Sequence, residues 1–75
     1  MSTAEAEQVF FNLPLLVLED SVHSQEEPRF HALGKTDVDR VFHITFTLRQ
    51  SGTLIRVISA RVMHRKERSF YEQAD

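Results

Sequence analysis

Phe42-His43-Ile44-Thr45-Phe46-Thr47-Leu48-Arg49 decides the fold, because four apolar residues alternate with four polar ones over eight positions. A period of two puts Phe42, Ile44, Phe46 and Leu48 on one side of an extended strand and His43, Thr45, Thr47 and Arg49 on the other. Such a strand is half buried and needs neighbours. Toward the C-terminus, Gln50-Ser51-Gly52 closes a hairpin and Leu54 to Arg61 returns as a strand. Strict alternation groups Arg56 with Ile58 and Ala60, and groups Ile55 and Val57 with Ser59 and Arg61. Apolar residues then lie on both faces, which predicts a central position in the sheet.

Toward the N-terminus, Thr36-Asp37-Val38-Asp39 is a turn built of residues that bond their own backbone, and Arg29 to Lys35 precedes it as a strand. Ser21 to Pro28 is polar and reads as a loop, preceded by a first strand Leu15-Leu16-Val17-Leu18 that ends in Glu19 and Asp20. Ser2 or Thr3 caps an opening helix, with Glu5 placed for a capping box and Ala6, Val9, Phe10 and Leu13 at helical spacing. Pro14 disfavours helix just before it and ends the element near Asn12. A final helix is predicted from about His64 to Gln73, with Met63, Glu67, Phe70 and Tyr71 along one side. The expected architecture is α+β in a single domain, residues 1–75: a short N-terminal helix, a four-stranded antiparallel meander and a C-terminal helix, with both helices on one face.

A chain of 75 residues buries only about 60–65% of its unfolded surface, and with no cysteine it has neither disulfides nor thiolate metal sites to reinforce it. That composition predicts an intracellular protein. No apolar run approaches the roughly 18–20 residues needed to cross a bilayer, and Glu5 and Glu7 occupy a region where a signal peptide would be basic and then greasy. The net charge of −2 conceals an uneven distribution. Residues 1–47 hold three basic residues against eight acidic ones, and residues 48–75 hold six basic against three acidic, a net of −5 and then of +3. A basic end of this kind suits a polyanion or an acidic partner.

Gly34 and Gly52 are too few for a phosphate-binding glycine loop, and there is no nucleophile elbow for a serine triad. His23, His31, His43 and His64 lack the close spacing of a metal motif, so neither metal nor cofactor is expected. What remains is the cationic tail. Cleaving RNA without metal needs a base for the 2′-hydroxyl proton, cations for the charge on the phosphorane and an acid for the leaving oxygen. Arg56, Arg61 and Arg65 supply charge in a planar fork that matches phosphate oxygens, while Glu67, Tyr71, His43 and His31 are candidates for proton transfer. Among these, Arg61, Arg56, Glu67 and Tyr71 form the candidate catalytic set, and Arg65, Lys66, Arg49 and His43 the candidate RNA contacts. The arginines are expected to converge on one exposed concavity. The competing reading pairs Arg61 and Arg65 with Glu67 or Glu72 as surface ion pairs, each contributing about 0–1 kcal/mol. In that reading His43 is a solvated cross-strand neighbour and Tyr71 a packing residue with a wet hydroxyl.

Asp20, His23-Ser24, Glu27-x-Arg29, Gly34, Arg40, Phe46-Thr47-x-Arg49, Ile55-Arg56-Val57-Ile58-Ser59-Ala60-Arg61, Glu67-Arg68 and Tyr71-Glu72 together resemble the BrnT toxin family of bacterial toxin-antitoxin pairs. The resemblance runs from about Glu5 to Glu72. It implies a RelE-like fold and a cytoplasmic, ribosome-independent ribonuclease, inhibited by a BrnA-type antitoxin that binds operator DNA through a ribbon-helix-helix domain; the toxin would touch DNA only through that partner. Two departures are visible. The family pattern begins with a Trp-Asp strand and a helix ending in Lys-His-Gly, neither of which matches here, so a shortened domain with an unpaired sheet edge and a homo-oligomer are expected. His64 also replaces the family's Thr or Ser ahead of the last helix, and losing a hydroxyl cap costs about 0.5–2 kcal/mol. A rival of a different class is a catalytically inactive module that binds only a protein partner or itself.

Overall fold

Ser2 opens helix α1 (Thr3–Phe11) with a reciprocal cap: its hydroxyl accepts from the Glu5 amide and the Glu5 carboxylate accepts from the Ser2 amide, each at 3.1 Å. Asn12 closes the helix, its amide donating to the Gln8 carbonyl. Strands β1 (Leu16–Glu19), β2 (Arg29–Lys35), β3 (Val41–Arg49) and β4 (Leu54–Val62) follow, and then helix α2 (Arg65–Gln73). The computed structural model describes residues 2–22, 27–50, 52 and 54–73; His23, Ser24 and Ser51 lie outside them. All neighbouring strands are antiparallel, in the order β1-β2-β3-β4. The α+β meander is therefore as expected.

Two expectations are corrected. β4 is an edge strand, not a central one, and nearly all of it is exposed. Its apolar residues follow from a register shift and not from burial on both faces. Ser59 pairs with Thr45 but Val57 pairs with Phe46, so Ile58 is an extra residue, a β-bulge. Because paired residues share a face, the bulge changes the alternation midway. Ile55, Val57, Ala60 and Val62 all join the face of Phe42, Ile44, Phe46 and Leu48, and Arg56, Ser59 and Arg61 all join that of His43, Thr45 and Thr47.

The second correction concerns the helices, which cover opposite faces. α1 lies on the apolar face, where Val9, Ala32, Phe42, Ile44 and Phe46 form the buried core and the Phe10 ring meets Phe46 edge to face at 5.2 Å. Gly34 permits this approach, since a Cβ there would stand 2.7 Å from Val9 Cγ1. The β2–β3 turn is tied to the same helix. Asn12 donates to the Lys35 carbonyl and to Asp37, Gln8 accepts from the Asp37 amide, and Arg40 pairs with Glu5 at 2.9 Å. α2 lies on the other face over a smaller cluster of Leu33, Met63 and Tyr71. Beside it, β1–β4 leave a polar surface uncovered.

Candidate active site

Register places the polar face in ranks. Leu33, His43 and Arg61 stand side by side across β2, β3 and β4; His31, Thr45 and Ser59 form the next rank, and Arg29, Thr47 and Arg56 the one after. Glu67 enters from the first turn of α2 and meets the first rank. Its carboxylate accepts from Arg61 through both oxygens, at 2.8 and 2.9 Å, and from His43 Nδ1 at 2.6 Å. The opposite ring nitrogen, His43 Nε2, is 2.9 Å from His31 Nδ1, which also lies 3.0 Å from the Thr45 hydroxyl. His31 Nε2 is 2.9 Å from Asp20 Oδ2 at the end of β1. One continuous chain thus runs Asp20, His31, His43, Glu67, Arg61 across all four strands and onto α2.

Burial weakens Glu67 as an ion, but hydrogen bonds from Arg61, His43 and the His64 amide outweigh it and hold its pKa at about 2, against an ordinary value of 4.5. The carboxylate is fully ionised at neutral pH. Its bidentate bond in turn keeps the Arg61 guanidinium more firmly protonated than usual. Exposure is graded along the pair: the Glu67 side chain retains 16% of its surface and Arg61 50%, so the acid is enclosed while the cation still faces solvent. Nδ1 of His43 also lies 3.0 Å from an Arg61 terminal nitrogen. With Glu67 ionised, both nitrogens are donors converging on its Oε2.

His64 preserves the cap that a hydroxyl would have made. Its Nδ1 accepts from the Glu67 amide at 3.4 Å while Glu67 Oε1 accepts from the His64 amide at 3.3 Å, a capping box with imidazole in place of Ser or Thr. The anticipated loss of the cap is corrected accordingly. Glu67 therefore has a double part, closing the start of α2 and binding Arg61 and His43.

A depression of about 310 Å³ opens over the chain, floored by His31 and His43 and walled by Leu18, Leu33, Phe70 and Lys66. Leu18 and Phe70 are 56% and 54% exposed at its mouth. A second depression, at the far end of the same face, is lined by Glu27, Arg29, Thr47 and Arg56. Thr47 lies four steps along β3 from His43, about 13 Å.

Of the sequence-predicted residues, the structure brings together Arg61, Glu67 and His43, with Lys66 at the rim. Arg56 is on the same face but lines the second depression and not the one over His31 and His43, so the arginines do not converge on one concavity as expected. Arg49 pairs with Glu27 at 3.5 Å at the end of β3, and Arg65 is exposed at the start of α2. Tyr71 is not at the junction: it is 4% exposed among Leu33 and Met63, and its hydroxyl donates to the Pro14 carbonyl. His43 is held between Glu67 and His31 with 17% of its side chain exposed, not solvated as expected. The sequence reading gave Asp20 and Thr45 no role at a site and left His31 as one candidate among several. The available signal was the turn, since Lys35 opposite Val41 sets Leu33 opposite His43 and His31 opposite Thr45. Among the described residues no group of three or more His, Asp or Glu side chains is arranged to hold one metal ion, and no helix is long and apolar enough to cross a membrane.

A family model described as "Ribonuclease toxin, BrnT, of type II toxin-antitoxin system" matches residues 1–67, a span that includes Asp20, His31, His43, Arg61 and Glu67. No curated protein and no solved structure matches significantly. With most of its length matched, the chain belongs to the BrnT family of ribonuclease toxins of type II toxin-antitoxin systems.

Proposed function

We propose that the chain is a metal-independent endoribonuclease whose active site is the polar sheet face beside α2. The observation that carries this reading is the meeting of Arg61 and His43 on the enclosed Glu67 carboxylate, beside an open depression that His43 and Glu67 line. Arg61 supplies the fixed positive charge for a phosphorane, and its exposed half is the part a phosphate oxygen reaches. A carboxylate with a pKa of about 2 is a poor base at neutral pH, so Glu67 orients Arg61 and His43 and the imidazole moves the proton. Tyr71 is left with a packing part. Lys66 steers the phosphate chain at the rim, and Arg56, about 13 Å along the strands, contacts a neighbouring phosphate. A base of the RNA stacks on Phe70 at the apolar mouth.

Arg61→Ala tests the reading. Purified wild type is expected to cleave single-stranded RNA in the presence of a chelator. The variant is expected to lose about 10²–10³-fold of that rate, the range for removing one fixed charge donor, with an unchanged thermal melt. Inert, folded wild type would sink it.

A second reading is favoured by β4, a nine-residue edge whose Ile55, Val57 and Val62 are 49%, 41% and 53% exposed. That edge suits strand addition by a second copy or by a BrnA-like ribbon-helix-helix antitoxin. We assign it to partner binding in a cytoplasmic toxin-antitoxin pair. A monodisperse monomer in sedimentation would remove the homo-oligomer, and an antitoxin complex unaffected by Val57→Lys would remove the edge as its seat.

A further inference from the structure

Two imidazoles lie between two carboxylates, and the hydrogens along that chain single out the two ring nitrogens that face each other. Carboxylates accept and do not donate, so the ring nitrogens that face them, His31 Nε2 toward Asp20 and His43 Nδ1 toward Glu67, must each carry hydrogen. The remaining two, His31 Nδ1 and His43 Nε2, face each other at 2.9 Å, and that contact is a bond only if one hydrogen lies between them. Three hydrogens on two rings is one more than two neutral imidazoles hold. When both carboxylate bonds and the bond between the rings are made together, one hydrogen is shared by the two facing nitrogens.

We infer that His31 and His43 are the acid and base of RNA cleavage, working as one couple that holds a proton in common, with Asp20 and Thr45 as positioning residues. This rests on the ribonuclease reading above and extends it to His31 and Asp20. Two of the four ring nitrogens are committed to carboxylates, so the ring atoms left to exchange a proton with substrate are His31 Nδ1 and His43 Nε2. Both rings floor the open depression, at 4.9 Å between centroids and nearly perpendicular. RNA enters by replacing the single nitrogen-to-nitrogen bond with two bonds to its own oxygens. The neutral ring takes the proton from the 2′-hydroxyl as the O2′–P bond forms, and the imidazolium gives its proton to O5′ as the P–O5′ bond breaks. One proton enters the couple and one leaves, so its total is restored when the rings close again.

The surroundings fit these parts. Thr45 offers a hydroxyl that donates to His31 Nδ1 when it is bare and accepts from it when it is protonated, so either location of the shared proton is satisfied. Asp20 fixes the orientation of the His31 ring at 2.9 Å, as Glu67 fixes that of His43 at 2.6 Å. The substrate class follows from the chemistry. A strand without a 2′-hydroxyl has nothing to give the neutral ring, so DNA and 2′-O-methyl RNA are not cleaved, and the products are a 2′,3′-cyclic phosphate and a 5′-hydroxyl.

The proton count is directly observable. In the ¹⁵N-imidazole spectra of folded wild type, the His31 and His43 nitrogens are expected to show hydrogen on Nε2 and Nδ1 respectively, and the two facing nitrogens to share one. Asp20→Asn is expected to break the shared-proton signature and lower kcat more than KM, while His31→Gln and His43→Gln each lose about 10²–10⁴-fold in cleavage. Two bare nitrogens facing each other would overturn the couple. So would His31→Gln cleaving at the wild-type rate, and in that case Arg61→Ala still tests the ribonuclease. Folded wild type that leaves RNA intact would take both down.

Discussion

The two faces of the sheet are built on opposite principles. On the α1 face, Val9, Ala32 and Ile44 have no exposed surface, and the only demand on the residues is that they fill space. On the α2 face, the same strands and the start of α2 hold an unbroken sequence of carboxylates, imidazoles and a guanidinium, each hydrogen-bonded to the next. One face gives the chain its stability and the other fixes charges beside an opening. In a domain this small the two tasks are separated by strand parity alone, and the Ile58 bulge extends that separation to β4.

Substitutions on either face sharpen or break the contrast. Ile44→Ala leaves a cavity in the packed face and is expected to cost about 2–5 kcal/mol, enough to unfold much of the protein at physiological temperature, as a thermal melt would read. If His43→Ala, one residue away, destabilises equally, the division of tasks fails. The next largest effect is pH-dependent. With the Glu67 pKa lowered from 4.5 to about 2, its contribution is complete above the unfolded carboxylate's pKa and disappears as pH falls from about 4.5 toward 2. Glu67→Gln should therefore reduce stability at pH 7 and flatten the acid limb of the unfolding curve; an unchanged acid limb would mean that the network is not stabilising.

Smaller effects belong to binding. Phe70→Ala should leave the melt unchanged, since the ring is largely exposed, while weakening single-stranded RNA binding by about 1–3 kcal/mol, the range for one stacked base. Smallest is Arg56→Ala. Loss of one outlying phosphate contact should lower the salt dependence of single-strand affinity by a slope of about 0.7 with little change in kcat. A large loss of kcat would place Arg56 at the chemistry instead of beyond it.

Local signals were legible in the sequence where one element decides its own form. Ser2 with Glu5, the Pro14 stop, the full extent of β2 and the alternation of β3 all appear where the residues put them. β4 was misread because a bulge at Ile58 has no glycine or proline to announce it, and alternation counted through it sends Arg56 and Arg61 to opposite faces. The site was half legible. Arg61, Glu67 and His43 are brought together by a hairpin and an adjoining helix, which are short-range features. Asp20 and His31 reach the chain through β1–β2 pairing, and nothing in their own neighbourhoods indicates a role.

The hydroxyl of Tyr71 on the carbonyl of Pro14 joins residues 57 positions apart. That fastening is among the contacts that seat α2, and α2 delivers Glu67. During synthesis the meander can assemble as soon as β4 has emerged, whereas the last helix must wait for its own final turn before it docks. The charged face is therefore expected to be the last portion of the molecule to mature, because Glu67 reaches it only when α2 docks.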